Sequence, residues 1–250
     1  MKDLRAGEVF LINKPLTWSS FHVVNKMKFT IKSYLRNNPG SLPNNEQPNN
    51  KQHPVISKIK IGHAGTLDPL ATGLLIVCTG KQTKNIESYQ AQEKEYTGTF
   101  FLGATTPCAD LEQEIDEYYP TEHITEEMIR ETVKQFTGTI QQTPPIYSAI
   151  RIDGRRAYKI ARSGNTADIK SKEITISEFE ITRIALPEVD FRVVCSKGTY
   201  IRSLARDFGK ALKSGAHLTA LCRTRIGEYK LENAMSIGEF EQLFRPELSK

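Results

Sequence analysis

Residues 62–78 read Gly62-His63-Ala64-Gly65-Thr66-Leu67-Asp68-Pro69-Leu70-Ala71-Thr72-Gly73-Leu74-Leu75-Ile76-Val77-Cys78, and Thr79-Gly80 follow. Three glycines and a proline exclude a regular helix and mark residues 62–73 as a loop. Leu74 to Cys78 is an unbroken apolar run of strand length with Gly80 as its stop, the pattern of a strand buried on both faces. Asp68 precedes a proline, whose ring disfavours helical backbone at the residue before it, so this carboxylate sits in extended chain beside His63 and Thr66. A phosphate cradle does not fit, because Gly80-Lys81 continues into Gln82 and Leu75 stands where the motif needs its first glycine. His63 and Asp68 alone are two ligands, too few for a metal site. A turn without function and a chemically active carboxylate both remain open from these residues.

Outward from this loop the chain alternates strands and helices. Toward the N-terminus, Val9 to Ile12 reads as a strand that enters a turn at Asn13-Lys14-Pro15. A helix follows, with Thr17 as its expected cap and Phe21, Val24, Ile31 and Leu35 near helical spacing on the core side. Residues 37–54 hold six Asn and four Pro with Leu42 as the single large apolar side chain, the composition of a flexible insertion. Toward the C-terminus, Glu95 to Leu102 alternates, with Tyr96, Phe100 and Leu102 on one face and Thr97, Thr99 and Phe101 on the other. Thr125 to Phe136 reads as a helix with Ile129, Val133 and Phe136 inward and Gly138 as its stop. Strands over Glu178 to Ala185 and Asp190 to Cys195 are expected to pair as a hairpin, before a helix whose buried stripe is Ile201, Leu204, Ala205, Phe208 and Leu212. No fixed-period repeat and no regular βαβ rhythm occurs. The expected class is therefore α/β of the α+β kind, a mixed and largely antiparallel sheet with helices packed on it.

The 250 residues are 38% hydrophobic and 25% charged, values of an ordinary folded chain with enough apolar surface for a core. No apolar run reaches the ~18 residues that span a bilayer and no signal-peptide pattern opens the chain, so a cytoplasmic protein without membrane contact is expected. Cys78, Cys108, Cys195 and Cys222 are widely spaced and form no C-x-x-C pair, so they read as small buried side chains rather than a disulfide or zinc framework. The net charge of +5 is unevenly spread. Asp110 to Glu131 carries nine acids and one base, whereas Arg192 to Lys230 carries nine bases against Asp207 and Glu228. The second stretch suits an anionic partner.

Two further segments carry such chemistry. In Cys195-Ser196-Lys197-Gly198-Thr199-Tyr200-Ile201-Arg202-Ser203 a strand ends, turns at glycine and opens a helix. Arg202 and Arg206, one turn apart, can share a face there and meet an anion together with the turn's N–H groups. A merely solvated helix face is the plain alternative. In Pro144 to Arg162, Arg151, Arg155, Arg156 and Lys159 interleave with Tyr147 and Tyr158, a mixture that grips phosphates while offering aromatic faces to unstacked bases.

Taken together these residues resemble the TruB family of tRNA pseudouridine synthases. The likeness spans most of residues 8–230. Its most specific part is Gly62 to Leu75, supported by Asn13-Lys14-Pro15, Lys94-Glu95-Tyr96, the Pro144 to Lys159 segment, Cys195 to Arg202, and His217-Leu218-Thr219-Ala220-Leu221-Cys222-Arg223-Thr224-Arg225-Ile226-Gly227. The resemblance implies a pseudouridine synthase fold, a bent, mostly antiparallel sheet with flanking helices and a central catalytic cleft. It implies isomerisation of the T-loop uridine at tRNA position 55 with tRNA as partner, no cofactor, no metal and no obligate protein partner, in a monomer. Asp68 is then the catalytic aspartate, Tyr96 packs on the target base and is a candidate for proton transfer as a second catalytic residue, and Arg202, the third, pairs with Asp68. A guanidinium beside a half-buried carboxyl opposes the rise in pKa that burial causes and keeps it ionised. Tyr200 and Leu221 line the uracil pocket. His63, with Thr66 beside it, holds the T-loop, and residues 142–164 form an RNA-gripping thumb carrying Arg151, Arg155, Arg156 and Lys159. Residues 1–232 would be the catalytic domain and 233–250 a short stub in place of the PUA-type RNA-binding domain of longer members. The insertion at 37–54 and Cys222, where an arginine is common, depart from the pattern. A module that binds and folds tRNA without chemistry is the alternative, and a phosphate-handling enzyme is a weaker one.

Overall fold

In the computed structural model, which describes residues 7–38, 59–148, 150–152, 154–157, 160 and 169–245, the chain divides into two units, Met1–Gln92 with Arg223–Lys250 and Glu93–Cys222. The first unit opens with β1 (Val9–Lys14), α1 (Ser20–Asn37), β2 (Ile61–His63), β3 (Ala71–Thr79), a 3-10 turn (Gly80–Asn85) and α2 (Ile86–Ala91). β3 pairs antiparallel with β1 from Val9↔Cys78 to Lys14↔Gly73, and its other edge pairs with β2 from Ile61↔Thr79 to His63↔Val77. The unbroken apolar run of β3 has its cause here. Leu75 and Val77 join Phe10, Ile12 and the α1 side chains Val23, Val24, Met27, Ile31 and Leu35 in one cluster, while Leu74, Ile76 and Cys78 join Ala64 and Ile226 in another. Each Val, Leu, Ile, Phe or Met among them contributes about 1.5–3 kcal/mol when removed from water.

Several boundaries differ from the sequence reading: β1 runs on through Asn13 and Lys14, where a turn is expected, and the strand expected from Glu178 begins at Lys172. Ser19, not Thr17, caps α1 by accepting from the His22 N–H at 3.1 Å, because Thr17 lies at φ +68 and its N–H is used by Pro69 O at 2.9 Å. The expected loop over 62–73 is shortened to residues 64–70, since β2 runs through His63 and β3 begins at Ala71. Gly65, at φ +96, supplies the left-handed backbone that the tightened loop needs.

The second unit is built on β4 (Lys94–Leu102), the small hairpin of β5 (Ala104–Thr105) and β6 (Glu117–Tyr118), α3 (Glu126–Gln135), β7 (Gly138–Gln142), the hairpin of β8 (Arg151–Ile152) and β9 (Arg155–Arg156), β10 (Lys172–Ala185), β11 (Glu188–Cys195), α4 (Ile201–Ala211) and β12 (Ala216–Ile226). Its strands lie in the order β12-β4-β11-β10-β7, with antiparallel neighbours over β4-β11-β10-β7. The expected alternation of β4 holds, with Tyr96, Phe100 and Leu102 buried and Thr97, Thr99 and Phe101 less so. Phe100 stacks on Phe191 at 4.2 Å between ring centroids and meets Phe208 of α4 at 5.3 Å, which seats the helix on the sheet. All five residues of the expected α4 stripe are buried. In α3, Ile129 is buried as expected, but Thr132 rather than Val133 or Phe136 is the second buried residue. Cys78, Cys108 and Cys195 are buried and Cys222 is partly exposed.

β12 passes back into the first unit at Arg223, where β13 (Tyr229–Lys230) pairs with its end. Ser236 then caps α5 (Ile237–Gln242) in a reciprocal capping box with Glu239. Residues 233–245, expected to form a stub, thus pack into the first unit, with Phe240 fully buried at 5.1 Å from Phe10 in edge contact. Residues 39–54 of the insertion and the tail 246–250 lie outside the described residues. No described helix is long and apolar enough to cross a membrane.

Candidate catalytic loop and its supports

The Asp68 loop is held from several sides by groups of its own unit. Ala64 N–H donates to Ile76 O at 2.9 Å, and Ala71 N–H donates to Asp68 O at 3.1 Å. Ser20 Oγ, the first residue of α1, accepts from Leu67 N–H at 2.8 Å and donates to Leu67 O at 3.2 Å. Two buried cations complete the brace. Lys14, with no exposed surface, donates through Nζ to the carbonyls of Pro15, Trp18 and Pro69. Arg223, 1% exposed, donates through Nε to Leu74 O at 2.8 Å and through Nη2 to Gly65 O at 3.1 Å, on either side of Asp68 in the sequence. Asp68 and His63 are partly exposed and Thr66 is exposed.

The charges of this loop are coupled. Burial pulls the Lys14 ammonium down to about 8, the Asp68 carboxylate resists that fall, and the Arg223 guanidinium adds to it. Burial also pushes the His63 imidazole below its ordinary value, a backbone hydrogen bond with Gly65 opposes that fall, and Arg223 adds to it. The lowered lysine has a consequence for stability. Between pH 8 and 10.5 the unfolded chain keeps a proton on Lys14 that the native state has released, so stability rises with pH through this window. Relative to Lys14→Met, wild-type stability in urea is expected to gain up to about 3 kcal/mol from pH 7.5 to 10.5. A difference that stays flat with pH would remove the buried ammonium from the argument.

Tyr96, Tyr200, Arg202 and Leu221 belong to the second unit. Tyr96 lies on β4 opposite Val193 of β11 and is 9% exposed. Tyr200 sits at the start of α4, where its backbone exchanges hydrogen bonds with the Gln142 side chain at 2.8 and 3.1 Å and Lys172 Nζ lies 4.8 Å from its ring centroid. Arg202, in the first turn of α4, is 6% exposed. Its Nη1 donates to Cys108 O at 3.3 Å, its Nη2 donates to Tyr147 O at 2.9 Å, and its Nε faces Asp110 Oδ2 at 3.5 Å. Asp110 also caps its own turn by accepting from Glu112 N–H at 3.0 Å. Arg206 has another carboxylate, Asp207 at 2.9 Å, and donates to Thr143 O. Within this unit the two arginines have different carboxylate neighbours. A guanidinium as buried as that of Arg202 requires a carboxylate beside it. A cavity of about 370 Å³ opens next to this turn, between residues 106–109 and 143–146, with Ile169 and Arg206 on its wall.

Leu221 is partly exposed on β12. The hairpin of the expected thumb brings Arg151 opposite Arg156 and Ile152 opposite Arg155 in backbone register. Lys159 lies outside the described residues. Lys14, Asp110 and Arg223 carry no local signal of these roles: Lys14 and Arg223 lie within the motifs of the family resemblance, and Asp110 is one acid of a charged run. Among the described residues no three His, Cys, Asp or Glu side chains cluster to hold a metal.

The family model described as TruB family pseudouridylate synthase, N-terminal domain, matches residues 53–201. The chain is similar to the tRNA pseudouridine synthase B of Flavobacterium johnsoniae, with 61% identity covering 94% of this chain and 95% of the relative. It is similar to the protein of the same name from Parabacteroides distasonis, with 51% identity covering 99% and 97%. Among solved structures it resembles a chain of a Cbf5-Nop10-Gar1 complex with a TM-score of 0.65 and 26% identity. That likeness covers 96% of this chain and 54% of the longer one, so this chain spans about half of it.

Proposed function

Because this chain belongs to the TruB family of pseudouridylate synthases and isomerises uridine in tRNA, we propose that its target is the T-loop uridine at position 55 and that Asp68 is the catalytic carboxylate. The observation that carries this reading is the Asp68 loop. It presents a partly exposed carboxylate on backbone fixed by Ser20, Lys14 and Arg223, with Lys14 supplying opposite charge. Isomerisation breaks the C1′–N1 bond, turns the uracil and makes a C1′–C5 bond, while the hydrogen on C5 leaves as a proton and N1 takes one up from water. Electrons balance without a redox partner, and no group is donated from outside. A fixed anion beside the ribose serves such a reaction as nucleophile or base.

Tyr96, Arg202, Tyr200 and Leu221 take the roles of their motif positions, which are stacking on the base, charge complement to the carboxylate and lining of the uracil. Turning a base out of its stack costs a few kcal/mol, and stacking worth about 1–3 kcal/mol on an aromatic face such as that of Tyr96 offsets much of it. Thr66, Arg151, Arg155, Arg156 and Lys159 would hold the RNA. The enzyme would act as a monomer in the cytoplasm. The test uses a tRNA transcript labelled with tritium at uridine C5. Label is expected in water at one equivalent per tRNA, with the product mapped to position 55. Release from another uridine would overturn the site assignment while leaving the isomerase intact.

A further inference from the structure

The helix whose first residue, Ser20, braces the Asp68 loop has an outward face that the proposed chemistry does not use. In α1, Phe21, Asn25, Lys28, Phe29, Lys32 and Arg36 follow at i, i+4, i+7, i+8, i+11 and i+15, which is one side of a helix. The opposite side carries the buried Val23, Val24, Met27, Ile31 and Leu35. Phe21 is 66% and Phe29 67% exposed, the two most exposed phenylalanines among the described residues. The helix has four Lys and Arg residues and no acid over its 18 residues. Lys26, on the flank, pairs with Glu241 at 2.6 Å, whereas Lys28, Lys32 and Arg36 have no ion-pair partner among the described residues.

We infer that this face of α1 is a second RNA-binding surface, on which Lys28, Lys32 and Arg36 neutralise tRNA phosphates and Phe21 and Phe29 pack on exposed bases or riboses. The inference rests on the reading of tRNA as substrate. Continuity argues for it. Ser20 is bonded to Leu67 of the catalytic loop, so Phe21 emerges directly beside that loop, and the face runs about 22 Å from it to Arg36. Interleaving argues for RNA over a lipid surface. A helix that lies in a membrane needs a contiguous apolar face, whereas here Asn25, Lys28 and Lys32 separate or flank the two rings, the alternation of aromatic and basic groups that single-stranded RNA binders use.

Binding of an unmodified tRNA transcript, measured across salt concentration, tests the inference. Lys28→Gln/Lys32→Gln/Arg36→Gln is expected to weaken affinity at least about tenfold and to reduce the slope of log K against log salt by about 2, because released counterions scale with neutralised phosphates. Phe21→Ser/Phe29→Ser is expected to weaken affinity about fivefold or more with the slope unchanged. Both sets lie on the helix surface, and an unaltered melting temperature verifies the fold. Lys32→Glu is a second variant that must weaken binding further than Lys32→Gln. Wild-type tritium release with both sets binding tRNA as tightly as the wild type overturns the inference. So does a loss confined to binding of phosphatidylglycerol vesicles. Absence of tritium release in the wild type would instead overturn the functional reading.

Discussion

Asp68→Asn is expected to bind tRNA within about threefold of wild-type affinity yet to form pseudouridine at least about 10⁴-fold more slowly, since loss of a catalytic base or nucleophile costs on that order. The substitution keeps the shape of the side chain and the Ala71 N–H to residue 68 carbonyl bond, and leaves Lys14, Ser20 and Arg223 in place on the neighbouring backbone. A fold defect therefore cannot imitate the result. One physical side effect accompanies it. The Asp68 carboxylate is what resists the fall of the Lys14 ammonium toward neutrality, so its removal lowers that lysine further and extends the pH window of rising stability downward. Single-turnover tritium release with a binding isotherm at the same salt separates the two quantities. Turnover within tenfold of wild type would remove Asp68 from the chemistry.

Much of the fold is readable because its signals are local. The alternation of β4, the stripe of α4 and the apolar run of β3 each state their own burial over a few residues, and each is buried as read. β12 gives no such signal. His217, Thr219, Cys222, Arg223 and Thr224 interrupt its apolar residues, and its strand state comes from neighbours distant in the chain. The cap of α1 shows a finer limit. Thr17 and Ser19 are equally able to cap, and the decision follows from a left-handed backbone at Thr17 that the bond from its N–H to Pro69 O accompanies across 52 positions.

The candidate site divides in the same way. Asp68 is visible in the sequence because glycines and a proline advertise an irregular backbone around a charged residue. Its supports are invisible because each is a pairing across distance. Lys14 reaches Pro69 over 55 positions, Arg223 reaches Gly65 over 158, and nothing near either cation names the carbonyl it will meet. Arg202 is the clearest case. Read alone, it is a basic residue at a helix start and suits an anion. In the fold it is enclosed with Asp110 from a stretch whose acids look merely solvated.

That enclosure sets the second large expected effect. Arg202 and Asp110 are 6% and 5% exposed, so removing either one takes an ion-pair partner from a charge held out of water, and breaking a buried pair costs about 3–5 kcal/mol. Arg202→Met and Asp110→Asn are each expected to destabilise the protein by that amount in urea unfolding. The double variant is expected to cost about 2–3 kcal/mol less than the sum, because the second substitution no longer breaks the pair. Additive losses would mean that the 3.5 Å approach contributes no coupling. Arg202→Lys distinguishes charge from shape. A lysine restores the charge opposite Asp110, but it lacks the planar fork that also reaches Cys108 O and Tyr147 O, so stability returns only in part. With Arg202 in the role proposed for it, Asp110→Asn is expected to lower kcat more than it raises KM. Equal changes in the two would make the pair a purely structural clamp on the turn at residues 106–110.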